Sequence, residues 1–181
     1  MSGTEVTTLV RFWAIFGYLL TIVGANWLTA HYGFVPVGLG LAATAGTYLA
    51  GLAFVARDAV QDAAGRVASL AVLVAGCGLS CFLPTPALAL ASAAAFGLSE
   101  LVDMAVYTPL RKRGYVRAAV ASNLIGSVVD TFVFLWLAGF GLTALVVGGQ
   151  LVGKAYATIA VVGAVVTARV LLRHRVNRAG A

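Results

Sequence analysis

Residues Ser99–Thr131 read SELVDMAVYTPLRKRGYVRAAVASNLIGSVVDT, and this stretch decides how the chain is built. Two apolar runs are joined by a short basic turn, Arg111-Lys112-Arg113. Three of the six acidic residues, Glu100, Asp103 and Asp130, lie inside or at the edge of those runs. An ionisable side chain at the centre of a membrane helix costs about 2.5–3.5 kcal/mol on insertion scales. Acids kept in such surroundings imply a partner or a task.

The rest of the chain has the same character. Of 181 residues, 61% are hydrophobic and only 10% are charged, and the mean hydropathy is +0.99. A soluble domain carries about a quarter charged residues, so this composition is built for lipid. Cys77 and Cys81 stand four apart in a Gly/Ala-rich apolar run. That spacing on a helix does not suit a disulfide, and no further ligands suggest zinc; both read as small packing residues. The first apolar run is too long for the core of a cleavable signal.

Six runs approach the roughly 20 residues a helix needs to cross the hydrocarbon core. They cover approximately Leu9–Ala30, Val37–Ala56, Val67–Leu83, Pro86–Tyr107, Tyr115–Ala138 and Leu142–Leu172. Helices are expected throughout, because lipid offers no partner to a free backbone group and the alternating segments of a barrel are absent. The predicted class is an all-α integral membrane protein, one domain over residues 1–181 with six transmembrane helices. Arg57 and Arg66 fall between runs two and three, Arg111, Lys112, Arg113 and Arg117 between four and five. Arg11 opens run one, while Arg169, Arg173, Arg175 and Arg178 finish or follow run six. The other connections, around His31–Pro36, Pro84–Thr85 and Gly139–Gly141, hold no Lys or Arg. This asymmetry puts both termini and the basic loops in the cytoplasm. It also accounts for eleven of the twelve basic residues as topology signals, which removes a nucleic-acid reading of the +6 net charge.

The polar residues left within the runs fall on helical faces. Glu100, Asp103 and Tyr107 share one face; Asn123, Ser127 and Asp130 form a stripe; Gln150, Lys154 and Thr158 repeat at four. Asn26 lies in run one. Lys154 is the only basic residue placed deep in the membrane, and a salt bridge to Asp130 is its simplest bland explanation. Asp103, nearer the interface, is expected to meet Arg111 or Arg113. Asp58, Asp62 and Arg66 repeat at four, which would give a charged face on a short helical extension of run two. It reads first as a solvated turn held by ion pairs and second as a gate or docking surface.

No P-loop, histidine-containing metal cluster or GxSxG motif is present, so neither an enzyme nor a bound cofactor or metal is expected. A cavity lined by carboxylates, amides and one lysine suits a small, flat, polar molecule. A carboxylate accepts paired hydrogen bonds from a guanine-like edge, amides match carbonyls and ring nitrogens, and Phe96, Phe134 or Trp136 can stack on the ring. Vitamins or amino-acid derivatives fit the same description.

The stretch ELVDMAVYTPLRKRGYVRAAVASNLIGSVVDTFVF resembles the central signature of the vitamin uptake transporter (VUT) family, which includes queuosine-precursor transporters. The resemblance is carried by Glu100, Asp103, Tyr107, Ser122, Asn123, Gly126, Asp130, Thr131 and Phe134, with support from Ala25-Asn26, Asp58, Asp62, Gly65 and Lys154. Asp62 stands where that pattern has Glu, and run six lacks the pattern's proline. The resemblance implies a six-helix bacterial inner-membrane importer of a 7-deazaguanine base (7-cyano-7-deazaguanine or a relative), similar in fold to the substrate-capture subunits of energy-coupling-factor transporters. It implies substrate contacts at Glu100, Asn123, Asp130, Gln150, Lys154 and Asn26, to which ring chemistry adds Phe134 and Phe96 as expected stacking faces. Gradient-driven import leads, with proton coupling through an acid and a homo-oligomer left open. The alternative is a binding subunit that needs a separate energising module.

Overall fold

A computed structural model describes residues 3–80 and 86–179, with side chains described through residue 171. Cys81 and the connection at Pro84 and Thr85 lie outside these residues, as do the side chains of Arg173, His174, Arg175 and Arg178. Six helices follow one another: α1 Gly3–Tyr32, α2 Thr47–Ala64, α3 Arg66–Ser80, α4 Pro86–Leu110, α5 Tyr115–Leu137 and α6 Ala144–Ala179. Four of them, α1, α4, α5 and α6, are long and apolar enough to cross a membrane, whereas α3 is apolar but shorter. The basic turn is one 3-10 turn, Arg111–Arg113. Pro109 sits just before it in the last turn of α4, and its missing N–H is where the α-helical ladder gives way.

Run two departs from the expected single helix. Its first part is an antiparallel hairpin, β1 Phe34–Gly38 and β2 Leu41–Thr44, pairing Phe34 with Thr44, Val35 with Ala43 and Pro36 with Ala42. The turn between the strands has Gly38, Leu39 and Gly40 all at positive φ, which two glycines make tolerable and a helix forbids. Within the hairpin the two strands pair the backbone groups that face each other, and the outward-facing groups of a two-stranded ladder have no partner in it.

This substitution moves everything after it. With the hairpin occupying residues 34–44, α2 begins at Thr47 and runs on to Ala64. It therefore carries Arg57, Asp58, Gln61 and Asp62 on a helix, as the spacing of Asp58 and Asp62 suggested, but not as a solvated segment. Arg57 and Asp58 are both fully buried. Arg57 is consequently a core residue and is removed from the set of topology signals.

The bundle is drawn together by close backbone approaches. A Cβ on Gly51 would lie 2.7 Å from the Lys154 Cα, so α2 presses on α6 at that lysine. A Cβ on Gly149 would overlap the Ala42 carbonyl, which seats β2 on α6. Gly149→Val is expected to cost about 1–3 kcal/mol or more, as overpacking against rigid backbone does. Gly163→Val on the same helix, with open space at its Cβ, is expected to leave the thermal midpoint unlowered. Heating both variants in detergent while following tryptophan fluorescence makes the comparison.

The aromatic residues expected at the membrane boundaries point outward. Trp13, Trp27, Tyr32 and Trp136 are all exposed on the bundle surface, as side chains facing lipid headgroups would be. Inside, Tyr18, Ile22, Ala53 and Val60 form one apolar cluster between α1 and α2. A second, of Tyr107, Ala118, Ala119 and Val162, joins α4, α5 and α6.

Candidate functional site

Two polar centres are built inside the apolar bundle. The first is a cavity walled by α1, β2, α2, α3, α4, α5 and α6, with Asn26, Phe96, Asp130, Phe134 and Gln150 among its lining residues. Five of the eight residues predicted as substrate contacts thus converge on one space. Its volume is about 50 Å³, room for a few waters and too little for a bicyclic base, for which pockets of about 300 Å³ or more are usual.

Each amide in the cavity is held by hydroxyls. Gln150 Oε1 accepts from Thr47 Oγ1 at 2.7 Å, and its Nε2 donates to Thr44 Oγ1 at 2.9 Å. Asn26 Oδ1 accepts from Ser92 Oγ at 2.6 Å, and its Nδ2 donates to Ser80 Oγ at 3.2 Å. These four hydroxyls were not singled out from the sequence. Ser92 had a usable signal, since Ser92, Phe96 and Glu100 repeat at four on α4. Single hydroxyls at Thr44, Thr47 and Ser80 in apolar runs carry none.

Lys154 anchors the cavity from behind. Its Nζ donates to Asp130 Oδ2 at 2.6 Å, Thr131 Oγ1 at 2.7 Å and the Ser127 carbonyl at 3.4 Å. Three donors meet three acceptors, which is what a buried ammonium needs. The salt bridge read from the sequence is present, and Asp130 lines the cavity while holding it.

The second centre lies around Arg57. Its Nε donates to Glu100 Oε2 at 2.9 Å, and its Nη1 donates to Gln61 Oε1 at 3.1 Å. Nη1 also pairs with Asp58 at 3.1 Å, and Nη2 pairs with Asp103. The guanidinium lies over the Tyr107 ring, 5.5 Å from its centroid. Glu100 and Asn123 belong here and do not line the cavity. Asn123, with its amide turned to satisfy both atoms, donates to Asp103 Oδ1 at 3.2 Å. Asp103 is fully buried, so its expected pairing with Arg111 or Arg113 is corrected to Arg57. The reason is again the displaced α2, Thr47–Ala64 in place of Val37–Ala56, which brings a cation to α4 two turns earlier than the basic turn could. Arg111 instead pairs with Asp62 at 2.8 Å, both partly exposed at the end of the bundle. Among the described residues, no group of three or more His, Cys, Asp or Glu side chains is arranged to hold a metal.

A family model described as "Putative vitamin uptake transporter" matches residues 79–170, just over half of the chain. No curated protein matches the chain, nor does any solved structure. The matched span holds all of α4 and α5, together with Gln150 and Lys154 of α6. Both polar centres draw acidic and amide residues from it, while Asn26, Thr44 and Thr47 of the cavity and Arg57, Asp58 and Gln61 of the second centre lie before it. The chain belongs to the vitamin uptake transporter family.

Proposed function

We propose that the protein imports a 7-deazaguanine base of the queuosine-precursor class, bound in the cavity of Asn26, Phe96, Asp130, Phe134 and Gln150. The observation that carries this reading is the cavity's make-up: two amides, one carboxylate and two phenyl rings gathered in an otherwise apolar bundle. A deazaguanine offers a donor pair on one edge, which a carboxylate accepts, and a carbonyl and ring nitrogen that amides match. Phe96 and Phe134 supply faces for the ring. Entry of the base widens the cavity and exchanges the Thr44, Thr47, Ser80 and Ser92 hydroxyls for groups on the ligand. The amides are thus kept satisfied whether or not the base is present.

No nucleotide-binding motif accompanies this site, so import runs down an electrochemical gradient across a bacterial inner membrane. The termini and the basic turn face the cytoplasm in this arrangement. Purified full-length protein is expected to be stabilised against heat by 7-cyano-7-deazaguanine and not by guanine. At 100 times the dissociation constant the gain is about 2.7 kcal/mol. Gln150→Ala removes one buried hydrogen-bonding partner, worth about 1–3 kcal/mol, and is expected to weaken binding roughly 5- to 150-fold. Equal stabilisation by guanine, or none by either base, defeats the assignment. Uptake by proteoliposomes containing this chain alone separates an autonomous importer from a subunit that needs an energising module.

A further inference from the structure

The charges around Arg57 do not balance. Asp58, Glu100 and Asp103 surround one guanidinium, and all four side chains are fully buried. Fully ionised, the cluster would hold two net negative charges away from water, and protonation is how buried carboxylates escape that state.

The hydrogen bonds indicate which oxygens are free to take protons. Asp103 commits one oxygen to Arg57 and the other to Asn123. Glu100 commits Oε2 to Arg57, and Asp58 commits Oδ1. Four carboxylate oxygens of the cluster are buried without a hydrogen-bond partner, Asp58 Oδ1 and Oδ2, Glu100 Oε1 and Asp103 Oδ2. Asp58 Oδ1 and Asp103 Oδ2 are ion-paired with Arg57, which leaves Glu100 Oε1 and Asp58 Oδ2 with neither kind of contact. Tyr18 on α1 adds a fully buried hydroxyl, also without a partner, within electrostatic reach of Glu100, Arg57 and Asp58. α3 carries a buried Ser69 hydroxyl, again without a hydrogen-bond partner. Tyr107 covers the guanidinium from α4, Asn123 of α5 donates to Asp103, and Lys154 of α6 is occupied by Asp130.

We infer that this cluster is a proton-binding site, with Glu100 and Asp58 as the carriers and Arg57 as the fixed countercharge. A proton from water forms an O–H bond on the free oxygen of either carboxylate and leaves by breaking that same bond. The cluster then alternates between two charge states without any other reactant. Its position suits coupling. Glu100 lies one turn along α4 from Phe96, which lines the cavity and packs on the Tyr18 ring with centroids 5.9 Å apart. Toward the other end, Gln61 connects Arg57 to Thr108, beside the Asp62–Arg111 pair. The carboxylates are not arranged as metal ligands, which favours a proton over a metal cation.

Protonation is independent of the transported molecule; its coupling to transport rests on the import reading above. Infrared difference spectroscopy of the full chain in bilayers, without ligand, detects the carbonyl stretch of protonated carboxyls. At neutral pH a band is expected that loses intensity in Glu100→Gln and in Asp58→Asn but not in Asp62→Asn. Absence of that band from the unmodified protein overturns the site, and this arm needs no variant to fold. In proteoliposomes, an acid-outside gradient is expected to accelerate uptake of 7-cyano-7-deazaguanine, and Glu100→Gln to lose the acceleration. Acceleration by a sodium gradient instead overturns proton coupling. A band present in protein that takes up none of this base upholds the proton site while removing the import reading.

Discussion

Arg57→Met is expected to destabilise the protein by about 3–5 kcal/mol, the usual cost of leaving a buried charge without its partner. Total stabilities of about 5–15 kcal/mol make that a large share of the whole. The side chain ties α2 to α4 through Glu100 and Asp103 and orients Gln61 toward Thr108. Its loss therefore loosens two helix contacts at once. Arg113→Met, at an exposed position of the basic turn, is the control and is expected to stay within about 0.5 kcal/mol. Combining Arg57→Met with Glu100→Gln and Asp103→Asn should recover part of the loss, because the neutral amides no longer need a cation. Detergent melts and yield from membranes read all three. Equal behaviour of the Arg57 and Arg113 variants would refute a buried role for Arg57.

Lys154→Met is expected to cost a similar amount, about 3–5 kcal/mol, by stranding the Asp130 carboxylate. The ammonium also holds Thr131 and the Ser127 carbonyl, so α5 and α6 lose a three-point clamp in a region where Gly51 packs α2 against the lysine backbone. Asp130→Asn alone should cost less, since an amide can still accept from the ammonium. The double variant is expected to fall short of the summed single losses by about 0.5–3 kcal/mol, the range found for residues in contact. Strict additivity would mean that the pair is not coupled. Because Asp130 also lines the cavity, the single lysine variant should lose stabilisation by 7-cyano-7-deazaguanine even where it remains folded.

The contrast between these two arginine and lysine centres shows what was readable in advance. Lys154 stood alone in an apolar run, so its need for a carboxylate was plain, and Asp130 was the simplest partner in the neighbouring helix. Arg57 sat at the edge of a run, where a window of hydropathy cannot separate a headgroup contact from a core residue. Its true place depended on the Phe34–Thr44 hairpin, which in turn depends on Gly149 admitting the Ala42 backbone. That is a contact between segments more than a hundred residues apart, and no local periodicity encodes it. An unbroken apolar stretch is equally compatible with a helix and with a hairpin closing on itself, and Pro36 with the Gly38-Leu39-Gly40 turn was the only local hint. The same shift moved Asp103 from the interface to the core. The cavity was more legible, because Asn26, Asp130 and Gln150 are costly residues in lipid and Phe96 and Phe134 share helices with acids.

The hairpin has a mechanical consequence. Its ladder hydrogen bonds run between its own two strands, whereas a helical wall keeps its bonds only while it stays wound. Thr44, at the end of β2, is part of the cavity wall and is tied to Gln150 by one side-chain hydrogen bond. Displacing this flap costs side-chain contacts and the seat on Gly149, but it leaves the ladder between its own two strands intact. The cavity therefore has one wall that can be lifted as a finished piece.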